Sequence, residues 1–261
     1  GRAEMDALPQ LALIANYGVG YDNIDVEYAR TRGIAVTNTP GVLTGATAEL
    51  TWALILAVVR RIGEGERLVR AGAWTGWTPT QLRGMSLEGK TLGIVGAGRI
   101  GREVGRRSVA FGMKAIYWGR TVSTELPLVE LDELLRRSDV VSIHLSRSAE
   151  TNGLIDAGKL GLLKDGAALI NTARGSIVDE TALVRELASG RINAGLDVYA
   201  HEPQVSAELL RLENVVLLPH IGSASVVTRN AMDQLVVDNL KAWFAGKPPL
   251  TPIPETPVKE R

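Results

Sequence analysis

The chain has no cysteine among its 261 residues. That excludes disulfides, thiolate metal ligands and a thiol nucleophile, and it fits a reducing cytoplasmic setting. There is no surplus of charge either: 29 Lys and Arg balance 29 Asp and Glu. No overall field therefore draws the chain to nucleic acid or to an anionic membrane, and a small molecule is the expected partner. The longest apolar run, Trp52 to Val59, is far short of the roughly 20 residues that span a bilayer, and no basic-then-apolar leader pattern stands at Gly1. Histidine is scarce, with three residues, so any imidazole chemistry must come from His144, His201 or His220.

What is present is an ordinary globular composition, 45% hydrophobic and 22% charged, laid out as alternating strand-like and helix-like segments. Leu11 to Ala15 reads as a strand that breaks at Gly18-Val19-Gly20. A helix over Asp25 to Arg32 and a strand over Ile34 to Thr37 complete one β-α-β unit. Thr47 to Arg61 reads as a helix apolar on all sides, expected to be buried between domains or subunits. A turn-rich link holding Trp74, Trp77 and Pro79 follows, and its aromatics are expected to pack against something. Further strands are expected at Thr91 to Val95, Lys114 to Trp118, Val140 to Leu145, Ala168 to Asn171, Ala194 to Val198 and Val215 to Leu218. Helices come between them, including Leu131 to Leu135 and Asp179 to Ser189, and a last helix runs from Val226 to Ala245. Strands separated by helices mean a parallel sheet covered on both faces, a doubly wound α/β fold. The expected division is 44–225 for the sheet domain, and 1–43 with 226–261 for a smaller one.

The strand Thr91 to Val95 runs into Gly96-Ala97-Gly98-Arg99-Ile100-Gly101, which opens a helix. In that setting Gly96 permits the tight turn, Gly98 lets a pyrophosphate approach the backbone, and Gly101 lets helix pack on strand. The helix N-terminus supplies free N–H groups and partial positive charge. A nicotinamide dinucleotide is the expected cofactor. An NAD-binding fold normally offers a carboxylate to the ribose some 20 residues further on, but this chain has Trp118-Gly119-Arg120-Thr121 there. Gly119 leaves room, Arg120 offers a guanidinium fork and Thr121 a hydroxyl, so NADP(H) is expected to be preferred, with NAD(H) second. The alternative is an Arg120 that points into solvent.

Three more segments each follow an expected strand: Asn171 to Gly175, Gly195 to Val198 leading to Glu202-Pro203, and Leu218 to Ser223. Loops at the carboxyl ends of parallel strands converge on one crevice. Reduction of a carbonyl needs a proton donor for the nascent alkoxide, and His220 is the histidine placed for it. Glu202 would stabilise its imidazolium, and Arg174 would hold a substrate carboxylate by paired hydrogen bonds. Spacing alone leaves Arg174 equally open to a surface ion pair. His144, ending an apolar strand, reads as a satisfied near-core histidine and His201 as a solvent-facing loop residue.

On these residues the chain resembles the D-isomer-specific 2-hydroxyacid dehydrogenase family over essentially its whole length. The matching segments are Asn16 to Asp25 (NYGVGYDNID), Asn38 to Val42 (NTPGV), Gly96 to Gly101, Asn171 to Gly175 (NTARG) and Pro219 to Ser223 (PHIGS). Through Gly119-Arg120-Thr121 it is most similar to the NADPH-dependent glyoxylate/hydroxypyruvate reductases of that family. The resemblance implies a Rossmann-type domain plus a flavodoxin-like substrate domain that is incomplete at its N-terminal side, since family chains carry roughly one more β-α-β portion before the position of Gly1. It implies Arg174, Glu202 and His220 as the catalytic set, with Val19, Gly20 and Ser223 also touching the substrate. Arg99, Ile100, Ser146, Thr172 and Asp197 are implied to line the cofactor, together with Gly96, Gly98 and Gly101. A homodimer through the dinucleotide-binding domain is implied as well. The reaction implied is hydride transfer between NADPH and a small 2-oxo acid, giving the D-2-hydroxy acid. Two alternatives stay open: a cofactor-sensing, protein-binding module of the same fold, like the family's corepressors, and an NAD-dependent phosphoglycerate dehydrogenase.

Overall fold

The structure, a computed structural model, describes residues 1–120 and 126–256. It divides into two compact units, Gly1–Ala46 with Ser223–Arg261, and Thr47–Gly222. The crossings thus fall at 46/47 and 222/223, beside the 43/44 and 225/226 expected from sequence.

In the smaller unit α1 (Arg2–Ala7) leads to β1 (Leu13–Ala15), α2 (Val26–Thr31) and β2 (Ala35–Thr37), and the two strands pair in parallel with Ile14 opposite Val36. Asp25 caps α2 by accepting the Tyr28 N–H at 2.9 Å, satisfying one of the helix's orphan donors. Met5, Ala29, Ile34, Val36 and Ile253 form the core of this unit.

The larger unit begins within α3 (Thr44–Val59), followed by α4 (Ile62–Arg70), β3 (Thr91–Val95), α5 (Arg99–Arg107), β4 (Lys114–Trp118), α6 (Leu131–Arg137) and β5 (Val140–Ile143). Then come α7 (Ala157–Leu160), β6 (Ala168–Asn171), α8 (Glu180–Ala188), β7 (Asn193–Leu196), α9 (Ala207–Arg211) and β8 (Val215–Leu217). The chain closes in the smaller unit with α10 (Val226–Phe244), capped by the Ser225 hydroxyl, which accepts the Thr228 N–H at 3.2 Å. In α10 the buried Asn239 donates to Thr251 Oγ1 at 2.9 Å and accepts the Thr251 N–H at 3.0 Å, so no polar atom of that amide is buried unmatched.

The six strands of the larger unit form one parallel sheet in the order β4-β3-β5-β6-β7-β8. Because every strand runs the same way, all six carboxyl ends lie at one end of the sheet. The chain leaves β3 to one side for β4 and returns past it to β5, which makes the gap beside β3 the switch point where open α/β sheets bind ligands. Strands β5 and β6 are buried throughout, the pattern of a sheet covered on both faces. Trp52, Leu54 and Val104, from α3 and α5, sit in one core cluster. Leu134, Leu135, Leu183 and Leu187, from α6 and α8, sit in the other. At the strand starts, the Asp139 carboxylate accepts the Thr91 N–H at 2.9 Å and the Lys164 ammonium at 3.0 Å, with Lys90 at 3.9 Å.

One expectation changes here. The apolar helix α3 is covered by its own unit: eight of its residues are buried, and the Trp52 ring stacks on Phe111 with centroids 4.3 Å apart while its Nε1 donates to the Val104 carbonyl. Among the described residues nothing covers the link tryptophans, Trp74 being 54% and Trp77 78% exposed. Among the described residues no helix is long and apolar enough to cross a membrane.

Candidate active site

Val95 ends β3 and the chain turns at Gly96, whose φ of 102° lies where side chains other than glycine are strained. A Cβ there would come within 2.7 Å of the His144 carbonyl oxygen, and one at Gly101 within 2.0 Å of the Gly96 carbonyl oxygen. The turn therefore closes on itself only with hydrogen at both positions. Gly98 is different, because a Cβ there would meet nothing within 4 Å. Its empty side lies at the N-terminus of α5, which no side chain caps. Uncapped helical N–H groups beside an open glycine face form a cradle for an anion, and a dinucleotide pyrophosphate fits it. Arg99 is exposed there, and Ile100 packs against the core under the turn.

Gly119, at the end of β4, lies against this turn, its would-be Cβ 3.4 Å from the Ala97 nitrogen. The Arg120 side chain is 91% exposed, with the Glu150 carboxylate at 3.9 Å. Thr121 lies outside the described residues. Ser146, beyond β5, is exposed and its carbonyl accepts the Thr151 hydroxyl at 2.8 Å. Thr172, beyond β6, shares a hydrogen bond with the Thr51 hydroxyl of α3 at 3.0 Å.

At the end of β6 the buried Asn171 shapes a tight turn. Its Oδ1 accepts the Ala173 N–H at 3.0 Å and its Nδ2 donates to the Arg174 carbonyl at 2.8 Å. The turn presents a half-buried Arg174, whose Nη1 donates to the Ala173 carbonyl at 2.7 Å. Beyond β7 and β8, Glu202 and His220 meet: Nδ1 of the imidazole is 2.7 Å from Glu202 Oε2, and Oε1 of the same carboxylate accepts the Tyr199 N–H at 3.1 Å. With Nδ1 held, Nε2 is the nitrogen left for proton transfer. His220 has φ of 54°, a sparsely occupied conformation for a non-glycine residue, of the kind that clusters at functional sites.

Asp197 explains how that conformation is held. Its Oδ1 accepts the Ile221 N–H at 2.7 Å and its Oδ2 the Gly222 N–H at 2.8 Å, clamping the backbone just after His220. Burial pushes the carboxyl of Asp197 above its ordinary range, against the pull of these donors and of His220. Expected as a cofactor contact, Asp197 is thus engaged through both oxygens with the histidine turn. The other histidines are placed otherwise. Burial drives the His144 imidazole down to about 3, so it is neutral, and its Nε2 pairs with the Ser142 hydroxyl at 2.8 Å. His201 is exposed. Among the described residues only His220 carries a carboxylate partner.

Val19, Gly20 and Ser223 belong to the smaller unit. There the Val19 carbonyl accepts from Asn38 Nδ2 at 2.9 Å and the Gly20 carbonyl from Asn16 Nδ2 at 2.9 Å, which fixes the turn through its oxygens. The Ser223 carbonyl accepts the Ser225 N–H at 2.9 Å.

Three residues at the larger unit's site escape a reading by motif: Thr51, Glu180 and Tyr199. Their roles are contacts across long stretches of sequence, which no spacing rule reports.

The family model described as D-isomer specific 2-hydroxyacid dehydrogenase, NAD binding domain, matches residues 52–222, well over half of the chain. The chain belongs to that family. It is an NAD(P)-dependent dehydrogenase that interconverts 2-oxo and 2-hydroxy acids. Within the family this dehydrogenase is 49% identical to the glyoxylate reductase of Thermococcus litoralis over 94% of its own length and 77% of that protein's. It is 48% identical to the glyoxylate reductase of Aeropyrum pernix, covering 97% and 79%. Among solved structures it resembles an NADPH-dependent glyoxylate/hydroxypyruvate reductase from Sinorhizobium meliloti in complex with NADP and malonate. The TM-score is 0.94 at 45% identity, covering 100% of this chain and 83% of that one. The match is to the fold as well as to the motifs, since the parallel sheet, its switch point and the glycine turn are those of a dinucleotide-binding domain.

Proposed function

We propose that this dehydrogenase reduces a small 2-oxo acid of the glyoxylate/hydroxypyruvate class to the D-2-hydroxy acid, with NADPH preferred over NADH. The observation that carries the reading is the 2.7 Å contact of His220 with Glu202, at the same end of the sheet as the glycine turn and Arg174. Gly96, Gly98, Arg99, Ile100 and Gly101 would hold the dinucleotide, which supplies the hydride when bound. Arg174 presents a fork of N–H donors matched to a carboxylate, and so would fix the oxo acid and leave its carbonyl facing the histidine. His220 delivers a proton from Nε2 to the carbonyl oxygen as negative charge builds on it. Glu202 at Nδ1 stabilises the imidazolium beforehand and keeps the ring oriented.

Preference for NADPH is supported by the missing acid at Gly119; the Arg120 beside it is 91% exposed, as the alternative of a solvent-pointing side chain also has it, with only the exposed Glu150 carboxylate at 3.9 Å. An adenosine 2′-phosphate would outcompete Glu150 for that guanidinium, being more highly charged and richer in acceptor oxygens. We also propose a homodimer through the larger unit, supported by the exposure of Trp74 and Trp77 in the link before β3.

His220→Ala tests the chemistry. General acids contribute about 10²- to 10⁴-fold, so kcat for glyoxylate reduction is expected to fall at least about a hundredfold while NADPH still binds. Near-normal turnover in that variant overturns the assignment.

A further inference from the structure

Glu202 reaches His220 from a loop, and the loop is held from outside itself. Three contacts fix it, all within the larger unit. The Ala200 N–H donates to Glu180 Oε2 at 3.1 Å, from the first turn of α8. The Tyr199–Ala200 peptide lies so close over Gly175 that a Cβ there would be 1.9 Å from the Tyr199 carbonyl carbon and 2.4 Å from the Ala200 nitrogen. The Tyr199 hydroxyl donates to the Leu218 carbonyl at 2.8 Å, two residues before His220. The turn bearing Arg174, the loop bearing Glu202 and the strand end bearing His220 are in this way stacked on one another.

We propose that Glu180 is a positioning residue for the acid pair: by holding Ala200 against Gly175 it sets the distance from Glu202 to His220. The inference rests on the reading of that pair as the proton donor and its partner. Glu180 has a plainer occupation available, as an acid in the first turn of a helix whose cap is already made by Asp179, Oδ1 of which accepts the Ala182 N–H at 2.9 Å. The two roles separate because only one of them is felt at His220. Around the imidazole the charged and titratable groups are Glu202 in contact, Asp197 beneath the following turn, Glu180 and Tyr199 behind the loop, and, two strands away beyond β6, Arg174. If Glu180 slackens, Glu202 moves off the ring, the protonated imidazole loses its partner, and reduction fails at lower pH than before.

The test compares Glu180→Ala, Glu180→Gln and Glu202→Gln as full chains, reading kcat, KM and the pH profile of glyoxylate reduction with NADPH. Glu180→Ala is expected to lower kcat by about tenfold, with KM for both reactants little changed, and to move the alkaline limb of the profile to lower pH. Glu180→Gln keeps an oxygen acceptor for Ala200 and is expected to restore most of the rate and the wild-type limb. A Glu180→Ala protein that melts earlier but keeps its kcat and profile overturns the proposal in favour of a helix-end role. A Glu180→Gln protein as impaired as Glu180→Ala overturns it in favour of simple charge. Glu202→Gln separates the two levels: if it leaves the profile untouched, the acid-pair reading itself falls. If it shifts the profile while Glu180→Ala does not, only the positioning role falls.

Discussion

In the proposed reading Arg120 is the residue on which cofactor choice turns. With its side chain 91% exposed, it contributes nothing to the core, so Arg120→Ala should leave the fold intact. Charge-assisted hydrogen bonds contribute about 1.5–3 kcal/mol, so KM for NADPH is expected to rise at least about tenfold while KM for NADH stays put. Steady-state kinetics with both cofactors checks this, and an unchanged ratio sinks the NADPH preference. At the same scale the sequence singled out the glycine turn, Arg174, Glu202 and His220 by type and by the strand each one follows, and the structure puts all of them at one end of the sheet. It also separated His220 from His144 and His201 by their settings alone. What it left hidden is what holds them. The left-handed backbone of His220 and the double acceptance by Asp197 depend on two loops from neighbouring strands lying side by side. The approach of Tyr199 to Gly175 does so too, and such adjacency is a property of the sheet order rather than of any local pattern.

Elements were legible where their signal was strong. Strands β3, β4 and β6 have the bounds read from the sequence; β3 and β6 are buried along almost their whole length, and such a parallel strand is a continuous hydrophobic stretch with abrupt ends. Helix α4 was not legible, since Gly63 and Gly65 weaken its propensity and Arg61, at φ 54°, breaks it from α3 with no proline or glycine at the joint. Helix α5 carries its own pH dependence. Arg106 and Arg107, one turn on from Glu103, bond its carboxylate at 2.7 and 2.9 Å and hold it down to about 2. A carboxyl lowered by folding stabilises the folded chain above its ordinary value of 4.5, and that stabilisation is lost as pH falls from there toward about 2. Glu103→Gln is therefore expected to melt about 2 °C below the wild type at pH 7, consistent with two helical pairs, one of them half-buried, contributing about 1 kcal/mol. In thermal melts the gap should narrow as the buffer is taken from about pH 5 to about pH 3 and close toward about pH 2. A gap of constant size would mean that the pairs are not what lowers the carboxyl.

For the whole molecule the open question is assembly. Two large aromatic side chains left in solvent are costly for a monomer, and Val69 of α4 is exposed as well; in the proposed dimer a second copy covers Trp74 and Trp77. Sedimentation of the wild type is expected to give twice the chain mass at micromolar concentration, and a Trp74→Ser, Trp77→Ser double variant should dissociate at concentrations where the wild type does not. A wild type that sediments as a monomer removes the dimer. The parallel sheet has one more consequence. Its two ends differ in kind: chemistry is gathered where strands finish, while Asp139, Lys90 and Lys164 merely brace where they begin. Since the chain has no thiol of its own, a single cysteine introduced among the strand starts would be a unique anchor. An enzyme immobilised there on an electrode or bead would present its reactive mouth outward to the flowing substrate.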